Sequence, residues 1–460
     1  MRYKARLVAR GFTQREDIDF NIEETYAPTP QLASIRLLLA QTTGLGWELA
    51  QLDVRQAFLV AELPEEEQMH MRLPGGEGLV KLLRSIYGLR QSAHHWHREI
   101  KGTLVKHGFT CVDADQGVYV LYDEVGKLQC ALALHVDDCL ISAPSALLEE
   151  TVAKLRAAYD SERSPADWFL KMSIRRSTDG RTLSLSQRDF ALEIIKAFGL
   201  DAETTNPAKT PMDAPLVKGA EPITVEEEKE IATWSATYGT VVGMLSYLSN
   251  GKRPDLAYAV NQVQSFTSAP RLHHWRALKR IVRYLIGTVD YGLVYTADDK
   301  PIRVWCDADF AADTDNRRSM AGYVSIYANA AISWKAVKIK SVSRSTGEAE
   351  LKALDQAARE GLWLRKMAAA FTMPNSETIT VFEDNSTAYS IANGSGWSPN
   401  TKHVAVQYYA VREDVDEKRI KVDGVASADN VADIFTKPLK PILFCRFREG
   451  LGVRKIVVER

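Results

Sequence analysis

The chain has 460 residues, of which 45% are hydrophobic and 25% are charged, and its net charge is −1 at pH 7. This composition excludes a disordered or collagen-like chain, and the length predicts about three domains. The sequence contains no run of 18 apolar residues, so no transmembrane helix is predicted. The basic N-terminal segment lacks the apolar core of a secretion signal. The five cysteines show no paired spacing, which argues against a zinc ribbon or a disulfide framework and favours a reducing compartment.

Charge is segregated along the chain, although the net charge is close to zero. Basic residues concentrate in three stretches, 1–15, 271–283 and 335–344, and acidic runs lie between them at 65–67 and 226–230. Any one of these runs is typical of a solvated face. Together they favour a basic track that could contact a nucleic acid.

The first half of the chain mixes helical and strand-like apolar spacing. In chain order the pattern predicts a helix over 32–43, a strand over 49–59, a helix over 92–107, strands over 118–122 and 128–134, and a helix over 146–158. This order indicates an α+β domain that ends near residue 200.

Residues 201–232 contain Asn206-Pro207, Thr210-Pro211, Ala214-Pro215 and the second acidic run, and they are predicted to be a linker. The pattern then predicts helices over 233–288, short strands between 294 and 334, a helix over 346–371, a strand over 379–382 and a helix over 385–393. Strands followed by alternating helix and strand indicate a mixed sheet with helices on its faces.

Two carboxylate features stand out in the first half. Asp137 and Asp138 are adjacent between two apolar strands, which predicts a hairpin turn. Like charges in such a turn repel unless a cation binds them, although a solvated Asp-Asp turn is the simpler alternative. Asp53 interrupts a strand-like stretch, where a buried carboxylate needs a partner or a metal ion. Asp53 and Asp137 could bridge two magnesium ions that activate a 3′-hydroxyl and stabilise a pyrophosphate leaving group.

Several blocks of the sequence resemble those of copia-type long-terminal-repeat retrotransposon polyproteins, in the reverse transcriptase and ribonuclease H region. They are KARLVARGFTQ at 4–14, QLDVRQAFL at 51–59, SIYGLRQS at 85–92, HVDD at 135–138, RPDLAYAV at 253–260 and KRIVRYLIGT at 279–288. The resemblance implies an α+β palm/fingers polymerase domain, then a helical connection and an α/β ribonuclease H-like domain. It implies truncated fingers and palm in 1–200, a linker and helical connection in 201–290, a ribonuclease H-like domain in 291–440 and a C-terminal tail in 441–460.

The same resemblance implies roles for residues of the polymerase domain. Asp53, Asp137 and Asp138 are expected to bind catalytic metal ions. Phe58 is expected to be an aromatic gate against a ribose 2′-hydroxyl, with a core aromatic as the alternative. The residues expected to contact the nucleotide or the template are Lys4, Arg6, Tyr87, Gly88, Arg90 and Gln91, although Lys4 and Arg6 could also be ordinary basic surface residues.

The chain departs from the family pattern at three positions. His135 stands where the family usually has an aromatic residue, Ala93 replaces a usual proline, and Lys171 replaces the glycine of the primer-grip segment. The family's fingers also extend upstream of the block at 4–14. These departures keep a second interpretation open, namely a catalytically inactive retroelement remnant that only binds nucleic acid.

A second set of acids resembles the four-carboxylate site of ribonuclease H. Its members are Asp307, Glu350, Asp384 and Asp433, and the nearby acids Asp309, Glu348 and Glu383 rank below them. Converging acids of this kind hold two magnesium ions that activate water and stabilise the leaving 3′-oxygen of RNA. For Glu350 the alternative is a favourable interaction with the start of the predicted helix.

These observations predict an enzyme, an RNA-directed DNA polymerase joined to a ribonuclease that cleaves RNA–DNA hybrids. The expected cofactors are two Mg²⁺ or Mn²⁺ ions per active site. The expected partners are an RNA template, a DNA or RNA primer, the RNA–DNA hybrid and deoxynucleoside triphosphates, with no membrane. The expected location is intracellular, in a cytoplasmic particle or the nucleus. A host metal-dependent nuclease would leave the blocks around Asp53 and Asp137 unexplained.

Overall fold

The computed structural model describes residues 6–65, 67, 69–73, 78–219, 222–394 and 405–456. These residues form two compact units, each described here by itself. The first unit comprises Met1–Leu38, Gly46–Ala166 and Ala370–Thr372, and the second comprises Leu39–Leu45, Asp167–Ala369 and Met373–Arg460. Over the described residues, no helix has the length and apolar character needed to cross a membrane.

The chain up to residue 166 contains four α-helices and eight strands among its described residues. The helices are α1 (Leu32–Leu45), α2 (Ala57–Val60), α3 (Ser92–Lys106) and α4 (Ser145–Ala158). The strands are β1 (Glu48–Val54), β2 (His70–Arg72), β3 (Leu79–Lys81), β4 (Thr110–Cys111), β5 (Val118–Tyr122), β6 (Leu128–His135), β7 (Asp138–Ala143) and β8 (Ser161–Ser164).

The main sheet of the first unit has the strand order β4-β5-β6-β7-β1-β8. Strands β6 and β7 are apolar almost throughout, and they form the predicted hairpin at the centre of this sheet. Trp96 and Ile100 of α3 and Leu148 of α4 pack with the sheet residues in one buried core. This core holds the β6–β7 turn and the end of β1 side by side.

The predicted strand over 49–59 is wrong beyond Val54. Strand β1 ends there, and Gln56 takes a left-handed conformation with φ of 56° before α2 begins at Ala57. The reason lies in the sequence of α2, Ala-Phe-Leu-Val, because four successive apolar residues cannot alternate between two faces of a half-exposed strand.

The chain after residue 166 forms the remaining elements. The helices are α5 (Arg188–Phe198), α6 (Val225–Gly251), α7 (Ala257–Gln264), α8 (Leu272–Gly287), α9 (Thr346–Ala370), α10 (Ser386–Ala392), α11 (Ala405–Asp416) and α12 (Pro441–Gly450). The strands are β9 (Trp168–Phe169), β10 (Met172–Arg176), β11 (Thr182–Ser186), β12 (Tyr291–Thr296), β13 (Arg303–Asp309), β14 (Met320–Tyr327), β15 (Ala330–Lys338), β16 (Ile379–Glu383), β17 (Ile420–Gly424) and β18 (Val453–Lys455).

The second unit contains two five-stranded sheets, ordered β18-β12-β11-β10-β9 and β15-β14-β13-β16-β17. The latter sheet is mixed, as predicted, because β13, β16 and β17 are parallel neighbours whereas β14 and β15 are antiparallel. Alanine and leucine residues along one side of α9 are buried. Residues 441–455, set apart above as a tail, form α12 and β18, and β18 pairs with β12. The proposed domain boundaries themselves stay predictions.

The acidic run at 226–230 lies in a helix, so the linker prediction is wrong for residues 225–232. Helix α6 begins at Val225, and the hydroxyl of Thr224 accepts a hydrogen bond from the Glu227 amide at 3.1 Å. Glu226, Glu227 and Glu228 occupy the first turn, where negative charge interacts favourably with the helix dipole. The run is therefore a helix start rather than a solvated connection.

Candidate functional site

The predicted polymerase acids lie at one edge of the sheet in the first unit. Asp53 of β1 stands directly opposite Asp138 of β7, and Asp137 occupies the turn before β7. The Val54 amide donates to the Asp137 carbonyl at 2.9 Å, and the indole Nε1 of Trp96 donates to the Val136 carbonyl at 2.7 Å. Strand β1 and helix α3 therefore hold the turn in place from two sides.

The three acids differ in environment. Asp53 and Asp137 are exposed, whereas Asp138 is half-buried. Burial raises the pKa of Asp138 and the Asp137 carboxylate adds to this, although Gln51 Nε2, which donates to Asp138 Oδ1 at 3.2 Å, opposes the shift. Exposed carboxylates beside a half-buried one are accessible to a hydrated cation. Over the part of the chain that is described, these three do not converge as tightly as the second acid set does.

An aromatic pair lies in the first unit at positions predicted to contact the nucleotide. Phe58 of α2 meets the Tyr87 ring edge-on, with ring centroids 5.3 Å apart. The Arg6 guanidinium lies 5.1 Å from the centroid of the Tyr87 ring. The structure thus groups three of the predicted substrate-binding residues, while Lys4 lies outside the described residues.

The other predicted contact residues are engaged within the protein. Gly88 has φ of 91°, and a Cβ there would lie 2.2 Å from the Ala9 carbonyl oxygen, so its missing side chain makes room for the chain itself. Arg90 Nε donates to the Gly11 carbonyl at 3.0 Å. Gln91 is buried, and its Nε2 donates to Glu67 at 3.3 Å. Roles of Gly88, Arg90 and Gln91 toward a substrate stay predictions.

The second acid set converges in the second unit. Asp307 lies on β13, Glu350 in the first turns of α9 and Asp384 immediately after β16. One carboxylate oxygen from each lies within 4.8 Å of the other two. Parallel pairing of β13 with β16, which places Trp305 opposite Phe382, brings the first and third acids to one sheet end. Three of the four predicted nuclease acids are therefore brought together.

The fourth acid, Asp433, lies beside Asp307 but is bound to a lysine. Asp433 belongs to a 3-10 helix at Val431–Phe435, and Lys437 Nζ lies 2.9 Å from its Oδ1. The same Nζ is 3.8 Å from Asp307 Oδ2, and the Thr436 hydroxyl donates to that oxygen. Burial raises the pKa of Asp433 to about 7, and the neighbouring Asp307 carboxylate contributes to this rise.

The second acid set has the properties of a divalent-cation site. Glu350 is 5% exposed, and its Oε2 is buried without a hydrogen-bond partner among the described residues. Burial raises the pKa of Glu350, and the carboxylates of Glu383, Asp307 and Asp384 raise it further. A magnesium ion takes oxygen ligands and would supply the missing partner of Glu350. The donor set therefore fits the expected cofactor.

Comparisons with known proteins show which family the chain belongs to. Residues 1–214 match the family described as reverse transcriptase (RNA-dependent DNA polymerase). The chain is 34% identical to the retrovirus-related Pol polyprotein from transposon TNT 1-94 of Nicotiana tabacum, over 98% of this chain and 34% of that one. It is 30% identical to a putative transposon Ty5-1 protein of Saccharomyces cerevisiae, over 63% of this chain and 94% of that protein. The chain belongs to the copia-type retrotransposon reverse transcriptases.

This reverse transcriptase chain spans about a third of the length of the Pol polyprotein from TNT 1-94. Among solved structures, a foamy viral protease-reverse transcriptase in complex with double-stranded DNA aligns with a TM-score of 0.48 at 12% identity, over 89% of this chain and 60% of that one. That likeness is too low to carry an argument about this chain.

Sequence reasoning missed three residues that contact the predicted nuclease acids, namely Asn430, Thr436 and Lys437. Asn430 is fully buried, and its Nδ2 donates to the Cys306 carbonyl at 2.8 Å and to Asp384 Oδ1 at 3.1 Å. Its Oδ1 accepts from the Ala432 amide at 3.1 Å, which caps the 3-10 helix carrying Asp433. The position of Asn430 three residues before Asp433, at the start of a helical turn, was the available signal.

Two of the lower-ranked acids, Glu383 and Glu348, have partners inside the protein. Glu383 Oε2 accepts from the thiol of Cys306 at 3.2 Å, and its Oε1 accepts from the Asn385 amide at 2.9 Å. Glu348 Oε1 lies 2.8 Å from Lys352 Nζ. Asp309 is half-buried, and burial raises its pKa. These contacts leave Asp307, Glu350 and Asp384 as the group whose oxygens converge.

Proposed function

We propose that the chain is an RNA-directed DNA polymerase with ribonuclease H activity, which copies retrotransposon RNA into DNA and cleaves the RNA of the hybrid. The observation that carries this proposal is the convergence of Asp307, Glu350 and Asp384 within 4.8 Å, in a chain whose residues 1–214 match a reverse transcriptase. Separate acid sets in separate compact units suit two consecutive reactions on one nucleic acid. The domain division given above, with fingers and palm in 1–200, is part of this proposal.

In the polymerase, Asp53, Asp137 and Asp138 would hold Mg²⁺ or Mn²⁺, which activates the primer 3′-hydroxyl and stabilises the pyrophosphate leaving group. Gln51 orients Asp138 through its hydrogen bond. The Phe58 ring, held edge-on by Tyr87, limits the space beside C2′ of the incoming sugar and so selects deoxynucleotides. Arg6 beside Tyr87 offers a cation for the triphosphate.

In the nuclease, Asp307, Glu350 and Asp384 would hold the first metal ion, with Asp433 available to a second. Ions held by these carboxylates would supply the charge that activates a water molecule and stabilises the leaving 3′-oxygen of the RNA. Asn430 fixes the Asp384 carboxylate relative to strand β13. The Thr436 hydroxyl fixes Asp307 in the same way.

The test is to assay the purified full chain for primer extension on an RNA template and for cleavage of an RNA–DNA hybrid, each with Mg²⁺ and with Mn²⁺. Asp137→Asn should abolish extension and leave cleavage, and Asp384→Asn should do the reverse, because the acids lie in different units. Asp299→Asn, at an exposed aspartate, is the matched control. A folded wild-type chain that binds the hybrid without either activity would support the inactive remnant instead.

A further inference from the structure

The ammonium group of Lys437 stands among the nuclease carboxylates. Its Nζ lies 2.9 Å from Asp433 Oδ1 and 3.8 Å from Asp307 Oδ2. Lys437 therefore places a cationic side chain in ion-pair contact with two of the proposed metal ligands.

This lysine divides the site into two sides. On one side, oxygens of Asp307, Glu350 and Asp384 converge, and the buried Glu350 Oε2 has no hydrogen-bond partner among the described residues. On the other side, Asp433 forms an ion pair with Lys437, and one oxygen of Asp307 accepts a hydrogen bond from the Thr436 hydroxyl. Among the described residues, the recorded ammonium contacts lie on the second side.

We propose that Lys437 is an internal cation that fills the Asp307–Asp433 side of the nuclease site until a second divalent ion displaces it. The two metal ions of this site then bind with very different affinities, and the second binds only as Lys437 withdraws. This inference rests on the proposed nuclease function, and it concerns the order in which the site is loaded.

Competition follows from the space and charge at these oxygens. A magnesium ion binds carboxylate oxygens at about 2.0–2.1 Å, so it cannot share Asp433 Oδ1 with an ammonium group that lies 2.9 Å from the same oxygen. A divalent cation and an ammonium at neighbouring positions also repel each other strongly in a partly buried site. Binding of the second ion therefore requires the ammonium to move.

Lys437 is able to move. Its side chain is 37% exposed, whereas the side chains of Asp307 and Asp433 are 3% and 9% exposed. A lysine has a flexible four-carbon stem whose charged end is readily hydrated. The lysine can thus turn into water while the two aspartates stay in place, which makes it a displaceable cation.

The test is to titrate the full chain, without nucleic acid, with MnCl₂ by calorimetry. Asp384→Asn in the same titration identifies the binding events that belong to this site. In Lys437→Met we expect the second ion to bind at least about tenfold more tightly, equivalent to ~1.4 kcal/mol. Lys437→Gln, which keeps a polar side chain, should show the same change if the methionine variant folds poorly. Lys440→Met, at an exposed lysine three residues away, should change the affinity less than twofold.

The outcomes separate the two proposals. If Asp384→Asn removes an ion but both Lys437 variants bind the second ion as wild type does, the internal-cation proposal is overturned and the nuclease proposal stands. If Lys440→Met has the same effect as Lys437→Met, net charge explains the change and the specific role of Lys437 is overturned. If Asp384→Asn changes no binding event, the site is not a metal site and both proposals fall.

Discussion

The guanidinium of Arg253 and the carboxylate of Asp255 form a buried ion pair with two hydrogen bonds, Nε to Oδ1 at 2.9 Å and Nη2 to Oδ2 at 2.8 Å. Each residue is 2% exposed. The Tyr284 hydroxyl also donates to Asp255 Oδ2, and Arg253 Nη1 donates to the Thr288 carbonyl at 3.0 Å. The pair therefore links the segment before α7 to the end of α8.

We expect Asp255→Asn to destabilise the chain strongly, because it leaves the buried Arg253 charge without its counter-ion. Removing one partner of a buried pair typically costs about 3–5 kcal/mol. Unfolding in urea, followed by circular dichroism, measures this loss. Asp213→Asn is the matched control, since Asp213 pairs with Arg280 at 2.9 Å with its side chain 68% exposed. Loss of an exposed pair costs about 1 kcal/mol or less, so equal losses would contradict the prediction.

We expect the free energy of unfolding to decrease as the pH is lowered, because of the buried His274. Burial lowers its pKa to about 4; its Nδ1 accepts from the Arg271 amide at 3.0 Å, and its Nε2 donates to the Val217 carbonyl at 2.8 Å. Protonation of Nδ1 would break this arrangement, because the new N–H of the ring would face the N–H of the Arg271 amide. The unfolded chain binds this proton near pH 6.5 and the folded chain only near pH 4, so stability is lost between those values as pH falls, by up to ~3 kcal/mol.

Urea unfolding at pH 7 and pH 5 measures this contribution. His274→Gln should show a smaller drop between the two pH values than wild type. His70→Gln, at an exposed histidine, should keep the full drop. An unchanged drop in His274→Gln would mean that this histidine is not held neutral in the folded chain.

We expect Phe58→Ala to relax discrimination against ribonucleotides, because the ring is proposed to occupy the space of the 2′-hydroxyl. Tyr87→Ala should have a smaller effect in the same direction, since it removes the edge-on ring that orients Phe58. Single-nucleotide incorporation with matched ribo- and deoxynucleotides gives the ratio of kcat/KM values. Phe12→Ala, at a phenylalanine 79% exposed in the same unit, should leave the ratio unchanged. If the Phe58→Ala ratio also stays at the wild-type value, Phe58 is a packing residue only.

We expect Asn430→Ala to reduce hybrid cleavage about 10- to 100-fold, the typical effect of losing a residue that orients a metal ligand. Primer extension should not change, because Asn430 and the polymerase acids lie in different units. Magnesium should also raise the melting temperature less than in wild type, which a merely structural role would not produce. Asn316→Ala, in an exposed loop, is the control. Full cleavage activity in Asn430→Ala would show that Asp384 is positioned without it.

The features that could be predicted from the sequence depend on neighbouring residues. The turn that carries Asp137 was predictable because apolar runs flank the two acids on both sides. Glu350 lies near the start of α9, as expected, because helical apolar spacing begins there. The acidic run at 226–230 was assigned to a linker although Thr224, an N-cap residue, directly precedes the helix.

The features that could not be predicted depend on partners far away in the chain. Asn430 binds Cys306 and Asp384, which lie 124 and 46 residues before it. Lys437 contacts Asp307, and the other three members of the second acid set lie between these two residues in the sequence. Gly88 has no room for a side chain because residues 8–9 pack directly against it. No local sequence pattern indicates this contact. Such contacts follow from topology, which spacing alone does not specify.

The pairing of β18 with β12 has a consequence for how the chain folds during synthesis. The four other strands of that sheet lie between Trp168 and Thr296, whereas β18 is Val453–Lys455. Until Val453–Lys455 have been synthesised, Tyr291 and Leu293 on β12 lack the strand that pairs with them on that side. A chain interrupted before residue 453 would retain an open strand edge, which is a template for pairing with other chains. Premature termination therefore yields an aggregation-prone protein even when every proposed catalytic carboxylate has been made.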